Sequence, residues 1–180
     1  MSLRIYGNRQ LKTLPGQETR PTPAKVRQAV FNIWPGVEGC RWLDLCAGCG
    51  AMGAEALGRG AAIATGIELA PAACRVIHQN WEKVAQPGQQ FQVIKGDVRR
   101  QLSRLRSQTF DYIYFDPPYG SDLYDGVLAT VVRLGLLDPK GEIAVEHQPE
   151  LWQAREIPGL ENVRQKRYGT THLTFYAPIP

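Results

Sequence analysis

Short apolar runs alternate with segments of helical periodicity along most of the chain, and this alternation limits the folds that the chain can adopt. The apolar runs, which we predict to be strands, cover residues 41–46, 63–68, 91–96, 111–115 and 142–147. The segments between them, which we predict to be helices, cover residues 52–59, 71–85, 98–107 and 123–134. Strands separated by helices of this length form βαβ units, and such units build a parallel sheet with helices on both faces. The sequence therefore predicts an α/β fold.

The residues before this alternation have a pattern of their own. Residues 2–14 alternate loosely around the turn pair Gly7-Asn8, which predicts a short β-hairpin. Residues 24–34 then carry apolar side chains at helical spacing. We expect Thr22 to be the N-cap of this helix and Pro23 its first residue, because a proline there loses no hydrogen bond.

The C-terminal end also departs from the βαβ rhythm. Two β-rich runs, residues 164–168 and 172–177, flank a short turn segment and predict a closing antiparallel hairpin. We expect two units, an N-terminal extension over residues 1–36 and a main domain over residues 37–180. Residues 15–22 are the expected hinge between the extension's hairpin and its helix.

The composition is that of a folded protein of ordinary size. The chain has 180 residues, of which 43% are hydrophobic and 21% charged, and this balance argues against disorder. The first residues lack the apolar run of a secretory signal, and charged residues interrupt every long apolar stretch. We therefore expect a cytoplasmic monomer without a membrane span. In a reducing compartment its four cysteines should be free thiols.

Positive charge is concentrated at the N-terminal end. Residues 1–41 contain seven lysines and arginines but only two acidic residues, whereas the whole chain has a net charge of +4. A basic segment attached to a nearly neutral body is typical of a surface that binds a polyanion. The same charges can simply keep a protein soluble, and the charge pattern alone leaves both interpretations open.

A glycine-rich loop follows the first predicted strand of the main domain. Gly48, Gly50 and Gly53 form a Gly-x-Gly-x-x-Gly pattern between strand and helix, which permits a tight turn and the close approach of a ligand. Glu68 ends the next strand about 20 residues later, where a carboxylate often binds ribose hydroxyls. Asp97 follows the third strand and is placed to reach an adenine edge. These positions predict a nucleoside-cofactor site.

The charge of Asp44, just before this loop, bears on the identity of the cofactor. A carboxylate there disfavours the pyrophosphate of a dinucleotide such as NAD. A sulfonium ligand that also carries an ammonium group is more compatible with a negative side chain. The sequence therefore favours S-adenosyl-L-methionine over NAD.

The fourth predicted strand ends in the tetrapeptide Asp116-Pro117-Pro118-Tyr119. The amine of a nucleobase is a poor nucleophile, because its lone pair is delocalised into the ring. The Asp116 carboxylate and the Pro117 carbonyl can accept its N–H groups and direct the lone pair, while Tyr119 stacks on the base. Such a base must be unpaired or leave its stack. The plainer interpretation is a rigid turn with a surface tyrosine.

These motifs together resemble the class I S-adenosylmethionine-dependent methyltransferases that modify base amino groups, which have a Rossmann-like fold. Further segments are similar to the bacterial small-subunit rRNA guanine-N2 methyltransferases, and the similarity extends over about residues 3–177. These segments are Arg20-Pro21-Thr22-Pro23-Ala24-Lys25-Val26-Arg27, Phe31-Asn32 and Arg167-Tyr168-Gly169-Thr170-Thr171. The chain departs from the family at Cys46 and Cys49, where phenylalanine and serine are usual.

The resemblance implies S-adenosyl-L-methionine as the cofactor and a guanine of 16S rRNA as the target, in free RNA or in a partly assembled small subunit. The implied cofactor residues are Asp44, Ala47, Gly48, Gly50, Glu68, Asp97 and Val98. The implied catalytic residues are Asp116, Pro117, Pro118 and Tyr119. The implied RNA-binding residues, all in the N-terminal extension, are Arg4, Arg9, Lys12, Arg20, Lys25 and Arg27.

Other functions stay open at this point. The Asp-Pro-Pro-Tyr motif also occurs in DNA adenine-N6 methyltransferases, and a non-catalytic RNA-binding assembly factor can share the fold. A zinc site at Cys46 and Cys49 is disfavoured, because a metal there competes with the cofactor and no second Cys-x-x-Cys pair exists. The arginines at positions 99, 100, 104 and 106 fit a solvated helical face better than an accessory phosphate patch.

Overall fold

The secondary structure follows the predicted order closely. The computed structural model of the protein describes residues 3–14 and 22–179. Its strands are β1 (Leu3–Ile5), β2 (Arg9–Leu11), β3 (Arg41–Leu45), β4 (Ile63–Glu68), β5 (Gln90–Lys95), β6 (Phe110–Phe115), β7 (Leu137–His147), β8 (Leu160–Tyr168) and β9 (Thr171–Pro178). Its helices are α1 (Ala24–Ile33), α2 (Ala51–Gly58), α3 (Pro71–Val84), α4 (Val98–Gln101) and α5 (Leu123–Arg133).

Four details differ from the predictions. Strand β8 begins at Leu160, four residues before the predicted run. The predicted helix over residues 98–107 is a single α-helical turn, α4, followed by a 3-10 helix over Leu102–Leu105. Strand β7 begins at Leu137, five residues early, because Leu137 pairs with Phe110 across a register shift. The N-cap of α1 is Pro23 and not Thr22, since Pro23 has extended backbone angles and its carbonyl accepts the N–H of Arg27.

One seven-stranded sheet organises the main domain, in the order β5-β4-β3-β6-β7-β9-β8. Strands β3 to β7 are parallel, whereas β9 pairs antiparallel with both β7 and β8. This confirms the predicted parallel sheet with a closing antiparallel hairpin. Because β3 to β7 run in one direction, the segments that follow them all meet at one side of the sheet, which we call the carboxyl edge.

Helices cover both faces of this sheet. On one face, α1, α2 and α3 pack with Trp42, Trp81 and Phe175, which are buried. On the other face, α5 and the chain after β5 pack against Leu43, Phe115 and other apolar residues. Within the described ranges, no helix is long and apolar enough to cross a membrane.

The N-terminal extension is built into this core. Strands β1 and β2 form the predicted hairpin, with Gly7 and Asn8 both at positive φ in its turn. Ile5 and Leu11 are buried in the same apolar cluster as α2 and α3. The backbone N–H of Lys12 also donates to a side chain of α3, that of Asn80, at 2.8 Å. The expected hinge falls largely on residues 15–21, which lie outside the described residues.

Arg27 is buried, and the prediction that it contacts RNA is wrong. Its guanidinium forms an ion pair with Glu55 of α2 at 3.2 Å, and both side chains are 4% exposed. Glu55 also pairs with Arg59 at 2.9 Å and accepts the backbone N–H of Tyr6 at 3.1 Å. These contacts use Arg27 to fasten α1 and the hairpin to the main domain.

We expect Arg27→Ala to destabilise the protein by about 3 kcal/mol, the lower end for breaking a buried ion pair, because the buried Glu55 carboxylate then keeps only the partly exposed Arg59 as a cationic partner. Lys25→Ala is the matched control on the same helix. Lys25 is exposed, so its loss should change the free energy of unfolding by less than about 0.5 kcal/mol. Urea denaturation of the two variants and the unmodified protein measures both values. Equal stabilities for the two variants would contradict a structural role for the Arg27–Glu55 pair.

Candidate active site

The loop between β3 and α2 turns sharply through a series of left-handed residues. Cys46, Gly48 and Gly50 have φ angles of 63°, 58° and 74°. Cys46 is one of only two non-glycine residues with positive φ in the described parts of the chain, the other being Asn8. A left-handed conformation costs a residue with a Cβ atom about 1–2 kcal/mol. The backbone at Cys46 is therefore strained, at the point where β3 ends at the carboxyl edge.

The three glycines of this loop have different tasks. A Cβ atom on Gly50 or Gly53 would lie 2.7 Å or 2.2 Å from the ring of Trp81, so these two glycines are required by packing. The backbone N–H groups of Gly50 and Gly48 are both engaged, the first with the Ala47 carbonyl at 2.7 Å and the second with the Glu68 carboxylate at 2.8 Å, so the two glycines differ only in the space around them. A Cβ atom on Gly48 would meet no heavy atom within 4 Å. Gly48 is therefore where a ligand can approach the backbone, and cofactor contact at Gly50 stays a prediction.

Asp44 lies beneath this loop as a buried carboxyl group that is only 2% exposed. It accepts the N–H of Gly53 at 3.1 Å. Burial raises the pKa of Asp44 from its ordinary value to about 8, and the nearby Glu68 raises it further while the Gly53 hydrogen bond lowers it. Near neutral pH the free protein therefore holds a proton here that a neighbouring cation would displace.

Glu68 joins two backbone segments at the carboxyl edge. Its carboxylate accepts the N–H of Gly48 at 2.8 Å and the N–H of Ala70 at 2.9 Å. The side chain lies at the end of β4 and is partly exposed, and its contact with a ribose stays a prediction.

Asp97 lies after β5, as predicted, and its carboxylate already binds Arg99. Its carboxylate caps α4 by accepting the N–H of Arg99, and it forms an ion pair with the Arg99 guanidinium at 2.8 Å. The hydrogen bond from Arg99 lowers the pKa of Asp97, so the group is ionised at neutral pH. Val98, beside it, is buried.

The Asp116-Pro117-Pro118-Tyr119 segment follows β6 directly. The N–H of Asp116 donates to the Leu45 carbonyl at 3.3 Å, which holds the segment against the end of β3. The Asp116 side chain is partly buried, and Tyr119 is 42% exposed. Burial raises the pKa of Asp116 well above its ordinary value, and the carboxylates of Glu146 and Asp44 add to this effect. Asp116 is thus a carboxyl group with a strong affinity for a proton.

Glu146 is a residue of this site that the sequence analysis missed. It lies near the end of β7, is 2% exposed, and accepts hydrogen bonds from the hydroxyls of Tyr114 and Tyr119, the latter at 2.9 Å. Burial raises the pKa of Glu146, while the two tyrosine hydroxyls lower it. The sequence contains a feature that indicates such a residue. Glu146 is an acidic residue near a predicted strand end, directly after the apolar run Ile143, Ala144 and Val145.

The carboxyl groups of the site surround one thiol. Burial raises the pKa of Cys46, and the next causes are the negative charges of Glu68, Asp116, Asp44 and Asp97. The structure therefore gathers residues from the ends of four different strands around one point. All four cysteines are free thiols, as predicted. Within residues 3–14 and 22–179, no group of three or more His, Cys, Asp or Glu side chains is arranged to hold a metal ion.

The predicted RNA-binding residues are more dispersed than the site residues. Arg4, Lys12 and Lys25 are exposed, but Arg9 is half-buried and donates to the Val84 carbonyl at 3.1 Å. Arg20 lies outside the described residues. With Arg27 excluded by its burial, RNA contact by the other predicted residues stays a prediction.

Comparisons with known proteins agree with this geometry. Residues 3–177 match the model of a family described as "Conserved hypothetical protein 95". The chain is 33% identical over 171 residues to "Putative rRNA methyltransferase YlbH" of Bacillus subtilis, which covers 93% of this chain and 92% of the relative. It is 28% identical to "Ribosomal RNA small subunit methyltransferase D" of Haemophilus influenzae, over 82% of this chain and 81% of the relative.

A solved structure is similar over nearly the whole length of both chains. "Putative methyltransferase yhhF" from Escherichia coli superposes with a TM-score of 0.84 at 27% identity, covering 99% of this chain and 98% of that one. The arrangement of the sheet, including the antiparallel C-terminal hairpin, is therefore a methyltransferase fold.

Proposed function

The chain belongs to the "Conserved hypothetical protein 95" family, and we propose that it is an S-adenosyl-L-methionine-dependent methyltransferase that modifies the N2 amine of a guanine in small-subunit ribosomal RNA. The relatives described above are named as rRNA methyltransferases, and one of them is named for the small subunit. The choice of guanine N2 rests on the resemblance of the sequence motifs.

One observation supports the proposal most strongly: the Asp-Pro-Pro-Tyr segment, with Tyr119 exposed and Asp116 partly buried, lies beside a glycine loop whose backbone is open at Gly48 and has carboxyl groups around it. The open space over Gly48 accepts a ligand. The carboxyl groups around Cys46 favour a cation over the anionic pyrophosphate of a dinucleotide. The site therefore fits S-adenosyl-L-methionine. Its holding residues are Asp44, Ala47 and Gly48 for the methionine part, Glu68 for the ribose, and Asp97 with Val98 for the adenine.

When bound, S-adenosyl-L-methionine supplies an activated methyl group on a sulfonium sulfur. Asp116 accepts an N–H of the target amine and so keeps the nitrogen lone pair free of the ring. In its ionised form Asp116 can take up the proton that the nitrogen must lose on methylation, and its raised pKa increases its affinity for that proton. The Pro117 carbonyl accepts the second N–H, and the two prolines hold both acceptors in a fixed backbone conformation.

Tyr119 is the residue that holds the target base, and Glu146 positions it. The hydrogen bond from the Tyr119 hydroxyl to Glu146 fixes the far end of the ring, while its exposed face stays available for stacking. The Thr171 side chain lies beside the same hydroxyl. The Glu146 carboxylate also keeps the proton affinity of Asp116 high through its charge. Glu146 thus acts through two other residues, without needing to touch the base.

The direct test is transfer of a labelled methyl group from S-adenosyl-L-methionine to small subunits and 16S rRNA from cells that lack this gene. Nucleoside analysis should then give labelled N2-methylguanosine. Label on adenine would keep the methyltransferase and overturn the target base. Binding of RNA without any transfer, and without stabilisation of the protein by the cofactor, would favour a non-catalytic binding factor.

We expect Asp116→Ala to abolish methyl transfer, with a loss of kcat of at least about 100-fold, the smaller end of what a positioned acid–base group contributes. Cofactor affinity should stay close to that of the unmodified protein, because the side chain is assigned to the target amine. Single-turnover assays and calorimetric titration measure the two quantities. A variant that methylates at nearly the original rate would remove Asp116 from the mechanism.

We expect cofactor binding to release a proton near pH 7 and to tighten as the pH rises. The pKa of Asp44 is about 8 in the free protein, and a bound cation lowers it. The affinity should therefore rise between pH 6 and pH 8, at most about tenfold per pH unit for one proton. Titration calorimetry in buffers of different ionisation enthalpy measures the released proton. Asp44→Asn should bind more weakly and lose the pH dependence; if it keeps that dependence, another group is responsible.

We expect Glu146→Gln to move the acidic limb of the pH–rate profile to lower pH. The substitution removes a negative charge that raises the pKa of Asp116, while Asp44 and the hydroxyls of Tyr114 and Tyr119, the other groups facing it, are unchanged. Glutamine still offers an oxygen to Tyr119, so KM for the RNA should change little. Glu146→Ala loses this acceptor too and should raise KM. Superimposable pH profiles for Glu146→Gln and the unmodified protein would exclude the electrostatic role.

A further inference from the structure

A groove of about 370 Å³ lies between α1 and β8, outside the site described above. Its polar lining comprises Lys25, Gln28 and Asn32 from α1, and Lys166 and Tyr168 from β8. The three α1 residues follow one another at helical spacing and so share one face of the helix. The two β8 residues are two positions apart and so share one face of the strand. The groove is therefore formed by regular elements, and its shape is fixed by the core beneath it.

The groove reaches the carboxyl edge beside the candidate active site. Tyr168 ends β8 and pairs with Thr171 across the β8–β9 turn. The Thr171 side chain lies beside the hydroxyl of Tyr119. At the other wall, α1 begins just after Thr22, whose side chain lies beside the buried hydroxyl of Tyr114. A strand of nucleic acid whose base is held by Tyr119 can thus continue directly into the groove.

The chemistry of the groove fits a nucleotide strand. Both charged lining residues, Lys25 and Lys166, are positive and exposed, so they can neutralise phosphates. The partly buried ring of Tyr168 offers a surface on which a base can stack. The amides of Gln28 and Asn32 can exchange hydrogen bonds with base edges or 2′-hydroxyls. The neighbouring Arg164 of β8 is already paired with Glu142 at 3.5 Å and does not belong to this set.

We propose that the groove between α1 and β8 binds the nucleotides that flank the target base, with Lys25 and Lys166 on phosphates and Tyr168 stacked on one base. This inference rests on the proposed function and extends it to the path of the RNA. It adds Gln28, Asn32, Lys166 and Tyr168 to the residues that contact the substrate. The N-terminal helix and the C-terminal hairpin thereby form one binding surface.

The test compares two charge-matched double variants with the unmodified full-length protein. Lys25→Ala with Lys166→Ala removes the two groove charges. Arg133→Ala with Lys140→Ala removes two exposed charges elsewhere, at the end of α5 and within the first half of β7. The probe is unmodified 16S rRNA transcribed in vitro, free or assembled with purified small-subunit proteins. Affinity is measured over a range of salt concentrations, and methyl transfer is followed with each substrate.

The groove variant should raise KM for RNA about tenfold without changing kcat, and its salt slope should fall by about 1.4, which is 0.7 for each phosphate on a single strand. Its cofactor affinity should be unchanged, which shows that it is folded. The control variant should behave like the unmodified protein. In the unmodified protein, bound RNA should also protect Lys25 and Lys166, but not Lys140, from acetylation.

Three results would overturn the inference. Equal salt slopes for the groove and control variants would mean that the two lysines contact no phosphate. Weaker binding to the assembled particle alone, with free RNA unaffected, would mean that the groove binds a ribosomal protein. Tyr168→Phe should keep full affinity, so a loss there would exclude stacking as the role of the ring. Failure of the unmodified protein to methylate either substrate would instead refute the proposed function, while the binding comparison would still be measurable.

Discussion

Buried carboxyl groups at the end of one sheet are the constraint on which the rest of the site depends. Asp44, Asp116 and Glu146 are drawn together because parallel strands end at a common edge, and burial raises the pKa of each. A water-poor site cannot keep several neighbouring carboxylates ionised unless protons or cations compensate them. The free protein uses protons and two tyrosine hydroxyls for this purpose. A sulfonium cofactor can replace a proton at Asp44. The buried carboxyl groups, which destabilise the site when they are ionised, therefore favour a cationic ligand.

Helix α1 has two faces with different environments. One face is fastened to α2 through the buried Arg27–Glu55 pair, and it brings the N-terminal hairpin with it. The other face forms a wall of the groove against β8. The buried side chains of α1, namely Arg27 and the apolar Val26, Val30 and Phe31, hold the first of these faces against the core. The opposite face, which includes Lys25, is therefore left to line the groove.

The sequence predicted most of the fold, because hydrophobic periodicity is local and each strand ends in a recognisable loop. It also predicted Asp44, Glu68 and Asp116 as site residues, since each lies at or near the end of a strand. It failed where the environment of a residue depends on distant contacts. Arg27 belongs to a basic segment, and nothing local shows that Glu55 buries it. Glu146 lies at a predicted strand end, but its contacts with Tyr114 and Tyr119, which are about 30 residues away, are not visible in the sequence. At Gly50 the sequence did not show that the ring of Trp81 requires a glycine, because Trp81 lies 31 residues away; cofactor contact there stays a prediction.

The antiparallel hairpin formed by β8 and β9 also determines which residues lie next to the candidate active site. Strand β9 lies between β7 and β8, and this order places the β8–β9 turn at the carboxyl edge, next to the residues that follow β6. Thr171 and Tyr168 are opposite residues of that turn, one beside Tyr119 and the other in the groove. A shift of the hairpin by one register position would turn Tyr168 to the opposite face of the sheet. The register of a single strand pair therefore determines both which residue lies beside Tyr119 and on which face of the sheet Tyr168 lies.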